Sequence, residues 1–135
     1  MTAVSFTVHG TPVAKGRPRF TRQGRAYTPA KTVAYEKLIR QTYAPSGTKL
    51  VGPLRLSVVA HFQFTASWPA SRKGADRYHT AKPDLDNIVK IVGDALNGYA
   101  FDDDSQIVFV SASKRIGADE PRLSIVLEEI NGAEA

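Results

Sequence analysis

Hydrophobic and polar residues alternate most regularly over residues 54–64 of the chain. One side of this segment is entirely apolar, whereas most of the intervening positions are polar. A period of two is typical of a strand with one buried face, so the segment is predicted to be a long strand. A shorter alternation at Val4, Phe6 and Val8 predicts another strand near the N-terminus. The apolar positions of the long segment are Leu54, Leu56, Val58, Ala60, Phe62 and Phe64.

The first predicted helix follows Thr28-Pro29, where a hydroxyl side chain precedes a proline. This pair is typical of a helix start, because the hydroxyl can cap a free amide and proline at the first helical position lacks one. The helix is expected to run to about Tyr43 and to end before Pro45 and Gly47. Its inward-facing residues are expected to be Tyr35, Leu38 and Ile39.

A second helix is predicted from about Asp84, because Pro83 disfavours a helical conformation for Lys82. Asn97-Gly98 is typical of a helix end. The apolar residues that follow helical spacing between these points are Leu85, Ile88, Val89, Val92, Ala95 and Leu96.

The remaining segments complete the predicted architecture. Gln23-Gly24 indicates a turn, so residues 17–28 are expected to form a short hairpin. Residues 65–82 show no period and are expected to form a long mobile loop. Two β-rich runs, 106–113 and 123–129, end the chain. Together these elements predict a single α+β domain over residues 1–135, with a mixed sheet covered by two helices.

The composition excludes several kinds of site. The chain has no cysteine, which excludes disulfides, thiolate metal ligands and a cysteine nucleophile. Its three histidines are scattered and lack the spacing of zinc ligands. The N-terminal residues lack a signal-peptide pattern, and no apolar run approaches the ~18 residues of a membrane helix. We therefore expect a soluble protein without a membrane partner, and the lack of cysteine suits a reducing cytoplasm.

Charge is distributed unevenly along the chain, although the net charge is only +5. Residues 1–83 contain fourteen basic and two acidic residues, a net charge of +12. Residues 84–135 contain four basic and eleven acidic residues, a net charge of −7. A basic region beside a compact acidic one indicates a polyanion held next to a cation site, although an unevenly charged solvated surface would give the same counts.

The first acidic segment stands at the predicted start of the second helix. Asp84 can be the N-cap and Asp86 can lie in the first turn. If this segment is extended instead, the two carboxylates share one face, because strand side chains repeat every two residues. Lys90 lies one helical turn after Asp86, on the same face.

The second acidic segment, Asp102-Asp103-Asp104, precedes the run at 106–113. If that strand lies beside the acidic helix start, three or four carboxylates converge and repel one another unless a cation is present. Mg²⁺ and Mn²⁺ prefer oxygen ligands, and such a metal can activate water and stabilise charge on a phosphodiester. Lys90 would add a positive charge near the scissile phosphate.

Each of these residues also has a plainer interpretation. In this interpretation Asp84 only caps the helix, and Asp86 and Lys90 form a surface ion pair worth ~0.3–0.5 kcal/mol. The three aspartates at 102–104 would also suit an exposed turn. Asp94, two turns beyond Asp86, is expected to be a surface or ion-pair residue.

The combination of motifs resembles the RusA family of Holliday-junction resolvases, in its phage and prophage branch. The strongest matches are PDLDNIVKIVGDALNG at 83–98 and DDSQIV at 103–108. The stretches GTPVAKGRPRF and TPAKTVAYE in the N-terminal part extend the resemblance over most of the chain.

This resemblance implies a crossover junction endodeoxyribonuclease that cuts four-way DNA junctions as a homodimer, with Mg²⁺ or Mn²⁺, in DNA recombination and repair. It assigns metal binding to Asp84, Asp86 and the Asp103-Asp104 pair, with Asp104 the preferred third ligand. It assigns the catalytic lysine to Lys90. The extra aspartate at 102 leaves open which of the three coordinates the metal.

The basic N-terminal segment is expected to contact DNA. Its basic residues alternate, so an extended chain would present several of them on one side. Phe20, Tyr27 and Trp68 are candidates for stacking on unpaired bases, with core packing an equal alternative for the first two. The basic residues are Lys15, Arg17, Arg19, Arg22 and Arg25.

Two other functions compete with a structure-selective endonuclease. A non-catalytic nucleic-acid-binding module would use the basic face alone, and it would gain nothing from carboxylates near phosphates. A structural or assembly protein would use its uneven surface for protein contacts, and it would not bind DNA in a salt-sensitive manner.

Overall fold

The computed structural model describes residues 2–64 and 77–130. Two helices and a five-stranded sheet form the body, and a separate two-stranded hairpin projects from it. The helices are α1 (Ala30–Tyr43) and α2 (Leu85–Leu96). The strands are β1 (Ala3–His9), β2 (Arg19–Phe20), β3 (Ala26–Tyr27), β4 (Leu54–Phe62), β5 (Arg77–Tyr78), β6 (Ile107–Ile116) and β7 (Arg122–Glu129). The expected α+β architecture is thereby confirmed.

The five-stranded sheet is mixed and has the order β1-β7-β4-β6-β5. β4 is central, antiparallel to β7 and parallel to β6. Its residues alternate between buried and half-buried along its whole length, as the sequence period predicts. The buried residues of β7 pair with those of β4, for example Ile125 with Val58, so both strands present one apolar face.

The two helices supply the other side of the core. Tyr35 and Ile39 of α1 and Ile88 and Val92 of α2 belong to the same buried cluster as the apolar face of the sheet. Ile91 is also fully buried, although the predicted inward set of α2 omitted it. α2 ends at Asn97-Gly98 as expected, with Gly98 at a positive φ of 81° that favours glycine.

The start and the inner face of α1 differ from the prediction. The N-cap is Pro29 with an extended backbone, and no side chain caps the helix, so the predicted capping by Thr28 is wrong. Leu38 is 40% exposed, whereas Thr32 is buried. The reason is that the hydroxyl of Thr32 accepts a hydrogen bond from the amide of Gly16 at 3.1 Å, which holds the N-terminal segment against the helix.

The predicted loop at 65–82 lies mostly outside the described residues. Its last part is described and is not a loop throughout, because Arg77 and Tyr78 form β5 and pair with Arg115 and Ile116 of β6. The short pairing arises because β6 continues to Ile116, three residues beyond the predicted end of that run.

Candidate functional site

Asp84 occupies the N-cap of α2 without using its carboxylate as a cap. Its backbone is extended, with φ −70° and ψ 139°, and its carbonyl accepts the first helical hydrogen bond from Ile88. The carboxylate instead accepts two hydrogen bonds from Nζ of Lys82, at 2.9 and 3.0 Å. The plain interpretation of Asp84 as a capping residue therefore fails, and its side chain points outward.

Positive charge surrounds Asp84. The hydrogen bond from Lys82 lowers the pKa of its carboxyl group, and the charges of Lys82, Lys114 and Arg17 lower it further. Asp84 is therefore ionised at neutral pH. The contribution of Arg17 shows that the basic N-terminal segment lies close to the start of α2.

Asp86 and Lys90 lie one turn apart on the exposed face of α2. Within the described ranges, neither side chain forms a salt bridge. The surface ion pair between Asp86 and Lys90 that the sequence allowed is therefore not formed. Neither charge has a structural partner in the described part of the fold. Both remain available to a ligand.

The segment before Asp84 is held by β6. Nζ of Lys114 donates to the carbonyls of Ala81 and Pro83 at 2.7 and 2.8 Å, and the amide of His79 donates to the carbonyl of Lys114. Sequence reasoning missed Lys114. A signal was present, because Lys114 interrupts the alternation of Ala112 and Ile116 on the face that β6 shares with the apolar side of β4.

The second acidic segment is a tight turn in which the three aspartates have different tasks. Asp102 forms a 2.7 Å salt bridge with Lys49. Asp103 caps a single 3-10 turn by accepting from the amide of Ser105 at 3.2 Å, which lowers the pKa of its carboxyl group. The side chain of Gln106 accepts from the amides of Asp102 and Asp103 and donates to the carbonyl of Gly52, which fixes the turn.

Asp104 differs from its two neighbours. Its amide donates to Oδ1 of Asn97 at 3.1 Å, which places it beside the C-terminal end of α2. Its carboxylate forms no hydrogen bond or salt bridge with any residue that the structure describes. It is therefore the aspartate of this segment whose charge is not committed to the fold.

The two acidic segments lie at opposite ends of α2. The helix has 12 residues, which corresponds to about 18 Å at 1.5 Å per residue. The condition under which these carboxylates were predicted to converge is therefore not met within one chain, and residues 2–64 and 77–130 contain no group of three or more metal-ligating side chains. The physical reason is that β6 begins beside Asn97, at the C-terminal end of α2, and runs back towards the start of that helix. Asp104, which precedes β6, therefore lies at the C-terminal end of α2, away from Asp84 and Asp86.

The basic N-terminal segment separates into two parts. Arg17, Arg19, Arg22 and Arg25 are exposed, and the last three lie in the predicted hairpin, which is confirmed as β2 and β3. Phe20 and Tyr27 of this hairpin are 68% and 48% exposed, so they are not core residues. The third stacking candidate, Trp68, lies outside the described residues.

Lys15 does not belong to this exposed surface. Its Nζ lies 3.1 Å from Glu36 of α1 and 3.2 Å from Asp94 of α2. Burial opposes its charge, but the hydrogen bonds that Lys15 donates to both carboxylates outweigh that effect and raise the pKa of Lys15. The predicted DNA contact by Lys15 is corrected to an ion pair that joins the helices, and the expected ion-pair role of Asp94 is confirmed.

An open cleft of about 1000 Å³ separates the N-terminal segment from the residues that precede α2. Its lining includes four basic residues, Arg17, Arg19, Lys31 and Lys82, together with Pro83, which precedes Asp84, and apolar residues such as Phe62 and Phe64. Phosphate backbones bind through such clusters of basic side chains. The arrangement is able to hold a polyanion against the acidic start of α2.

Two comparisons with known proteins match most of the chain. The sequence model of the family described as Endodeoxyribonuclease RusA matches residues 9–128. The chain is 35% identical to Uncharacterized protein YqaN of Bacillus subtilis (strain 168), over 97% of this chain and 99% of the relative. Among the described residues, neither helix has the combined length and apolar character needed to cross a membrane.

Proposed function

The chain belongs to the RusA family of endodeoxyribonucleases, and from this premise we propose that it is a Mg²⁺-dependent nuclease that resolves four-way DNA junctions by paired nicks. Its place would be in DNA recombination and repair in the cytoplasm. Related branched DNA would belong to the same substrate class. The observation that carries the proposal is the set of uncommitted charges of Asp86 and Lys90 on α2, which begins directly after the cleft-lining residues Lys82 and Pro83.

The donor chemistry fits a hard divalent cation. Asp84 and Asp86 present carboxylate oxygens at one end of α2, and Asp104 presents another at the opposite end, with Asp103 beside it. Such ligands suit Mg²⁺, and also Mn²⁺. When bound, the cation would activate a water molecule and stabilise the charge that develops on the phosphate.

The side chains of this chain would bind and orient the substrate. Arg17 and Arg19 would hold the DNA backbone in the cleft, and Arg22 and Arg25 would extend this contact along the hairpin. Lys90 would place a compact positive charge against the scissile phosphate. Lys114 is a positioning residue, because it fixes the carbonyls directly before Asp84.

We further propose that the active form is a homodimer in which each site uses two chains. One chain supplies Asp84, Asp86 and Lys90, and the other supplies Asp104. The support is the separation of these groups along α2, since the described residues of one chain place only two carboxylates, those of Asp84 and Asp86, at the start of the helix. Two equal sites related by a two-fold axis also suit a pair of nicks in a symmetrical junction.

The competing function is a non-catalytic nucleic-acid-binding module. It is favoured by the lack of a three-ligand group within one chain, as far as the described residues extend. Its weakness is that carboxylates beside a phosphate-binding cleft repel the ligand, so a binder gains nothing from Asp84 and Asp86.

Cleavage of labelled DNA separates the two functions. Four-way junction and linear duplex are incubated with the protein in Mg²⁺ or in EDTA. We expect paired cuts in the junction only, with Mg²⁺ only, and binding in both conditions. Junction binding without cleavage in Mg²⁺ and in Mn²⁺ would leave the binding module as the function.

A further inference from the structure

The open cleft beside the start of α2 is lined by more than basic residues. Its four basic side chains, those of Arg17, Arg19, Lys31 and Lys82, are all exposed. Most of the other lining residues are apolar, and several are buried or half-buried, so apolar surface lies deeper in the cleft than the charges. None of the described residues that line the cleft is acidic. The deeper apolar and aromatic residues are Pro12, Val13, Phe62, Phe64, His79 and Ile116.

This combination of surfaces narrows the class of ligand. A phosphate group binds to basic side chains, but it is destabilised next to apolar surface. A purely apolar ligand, in turn, would make no use of four exposed positive charges. A nucleotide has both properties, since it joins an anionic phosphate to a flat base that stacks on aromatic rings. The volume of about 1000 Å³ is at the upper end of the range for small-molecule sites, so a base fits inside.

His79 presents an aromatic ring in a fixed position in this cleft. Its amide donates to the carbonyl of Lys114 at 3.0 Å, and its ring Nε2 donates to the carbonyl of Lys82 at 3.1 Å. The ring lies against that of Phe62, with 4.7 Å between the centroids and 47° between the planes. Burial lowers the pKa of His79 and outweighs the opposing hydrogen bond to Lys82, so the ring is neutral at neutral pH. An uncharged and oriented ring is a surface on which a base can stack.

The N-terminal segment that borders the cleft is also held by the fold. The amide of Lys15 donates to the carbonyl of Asn87 at 2.9 Å, and the amide of Gly16 donates to the hydroxyl of Thr32 at 3.1 Å. A Cβ at Gly16 would lie only 2.8 Å from Oγ1 of Thr32, so this close approach favours glycine. Hydrogen bonds therefore hold both this segment and the segment before α2, which makes the cleft largely preformed.

We propose that the cleft binds one unpaired nucleobase from the branch point of a DNA junction, and that this base stacks on His79. The exposed arginines and lysines hold the phosphates next to that nucleotide, and Thr11 and Gln63, which also line the cleft, meet the polar edge of the base. The proposal deepens the proposed function, because it names the feature of branched DNA that the chain recognises. It differs from stacking on Phe20 and Tyr27, which are exposed on the hairpin and do not line the cleft.

The position of the cleft gives the bound base a role in placing the cut. Lys82 and Pro83 line the cleft, and Asp84 follows them directly in the chain. A base held there fixes the DNA strand that continues towards α2, and a fixed strand presents one particular phosphate to Asp84 and Asp86. If the proposed nuclease function holds, nicks therefore fall at a constant offset from the unpaired base.

Binding without metal tests the base site independently of cleavage. The probes are two four-way junctions with one extra, unpaired nucleotide at the branch point, which is a thymidine in one and an abasic nucleotide in the other. Their backbone charges are identical. In EDTA, we expect wild type to bind the thymidine probe about 10-fold or more tightly than the abasic probe, because only the former supplies a base to stack. Equal affinities for the two probes would overturn the proposal, whatever the protein does to DNA.

Two substitutions of His79 separate its ring from its hydrogen bond. His79→Phe keeps an aromatic face and should keep the preference for the thymidine probe. His79→Gln keeps a donor for the carbonyl of Lys82, but it should reduce the preference to about twofold or less, because the ring is lost. Tyr99→Ala is the control and should keep the full preference, because Tyr99 is 62% exposed and does not line the cleft. With circular dichroism and melting showing folded variants, a full preference in His79→Gln would overturn the stacking on His79.

Photo-cross-linking locates the base in the wild-type protein. 5-Iodouracil replaces the unpaired thymine, and irradiation in EDTA attaches it to a neighbouring aromatic side chain. We expect cross-links to His79, Phe62 or Phe64, and far fewer of them when the label is at a paired position in an arm. Cross-links confined to Phe20 and Tyr27 would overturn the cleft as the base site. A junction that is cross-linked in the cleft but not cut in Mg²⁺ would leave the base site in place and remove the nuclease proposal.

Discussion

The two acidic segments at the ends of α2 have similar sequences and different physical roles. At the start of α2, Asp84 is bonded only to the flexible Lys82, and Asp86 has no partner among the described residues. Before β6, Asp102 binds Lys49 and Asp103 caps a turn, so only Asp104 remains uncommitted. The sequence motifs identify carboxylates that could bind a metal. Their hydrogen bonds and ion pairs in the structure show which of these carboxylates the fold does not already use.

The largest effect is expected from Asp86→Asn and Asp104→Asn, because both should remove a metal ligand. A loss of several kcal/mol of transition-state stabilisation corresponds to about 10³-fold or more in the single-turnover cleavage rate. Junction binding should be preserved or improved, because a charge that repels phosphate is removed. Asp102→Asn is the control and should cut within a few-fold of wild type. A normal single-turnover cleavage rate for Asp104→Asn would show that Asp104 is no more important for cleavage than Asp102, its neighbour in the acidic segment before β6.

Lys90→Ala is expected to slow single-turnover cleavage by ~10²–10³, as for a preorganised electrostatic donor. Binding should weaken much less, because the arginines of the cleft and hairpin hold the backbone. Lys90→Arg should restore only part of the rate, since a planar guanidinium does not replace a compact ammonium. Lys37→Ala, on the exposed face of α1, is the matched control. Equal rates for Lys90→Ala and Lys37→Ala would leave Lys90 as a surface residue.

Variants of the basic N-terminal segment are expected to have smaller effects, which differ between the exposed arginines and Lys15. Arg17→Ala with Arg19→Ala should reduce the log–log salt slope of duplex binding by roughly 0.9 for each lost contact. Lys15→Ala should leave that slope unchanged and lower the free energy of unfolding by about 1–3 kcal/mol, because it leaves two carboxylates unpaired. Binding titrations over a salt series, with urea unfolding, measure both. A slope that changes with Lys15 and not with the arginines would reverse the assignment.

The smallest effect concerns the turn before β6. Asp103→Ala should lower Tm by a few degrees, because the side-chain cap on the amide of Ser105 is lost, whereas the hydrogen bonds of Gln106 to the backbone remain. Asp102→Ala should leave Tm nearly unchanged, because its ion pair with Lys49 is exposed. Thermal melts of the two variants are the measurement. Equal losses would show that the two aspartates have equivalent structural tasks.

Local pattern was sufficient for most of the fold. The alternation at 54–64 and the helical spacing after Pro83 predicted β4 and α2, because one face of each is buried against the same core. The capping by Thr28 was wrong because Thr32 and the N-terminal segment form a tertiary contact that local propensity does not contain.

The site was predicted less completely than the fold. The residues with the relevant chemistry were recognisable, but their convergence depended on where β6 begins relative to α2, and Asn97 fixes that point. Lys15 looked like its exposed neighbours in the sequence, and only the approach of Glu36 and Asp94 withdraws it from the surface. Both the position of β6 and the ion pairs of Lys15 depend on contacts between residues that are far apart in the sequence, and a local pattern does not contain such contacts.

Mixing of two inactive variants tests the shared site most directly. Asp86→Asn and Asp104→Asn are co-refolded in equal amounts, and nicking of a four-way junction is measured in Mg²⁺. If each site uses both chains, a mixed dimer has one site with both substitutions and one site with neither, so about a quarter of all sites recover. The control, Asp84→Asn mixed with Asp86→Asn, should stay inactive, because every site then lacks one ligand. Recovered nicking in the first mixture alone is the predicted result; a first mixture as inactive as its components would contradict the two-chain site.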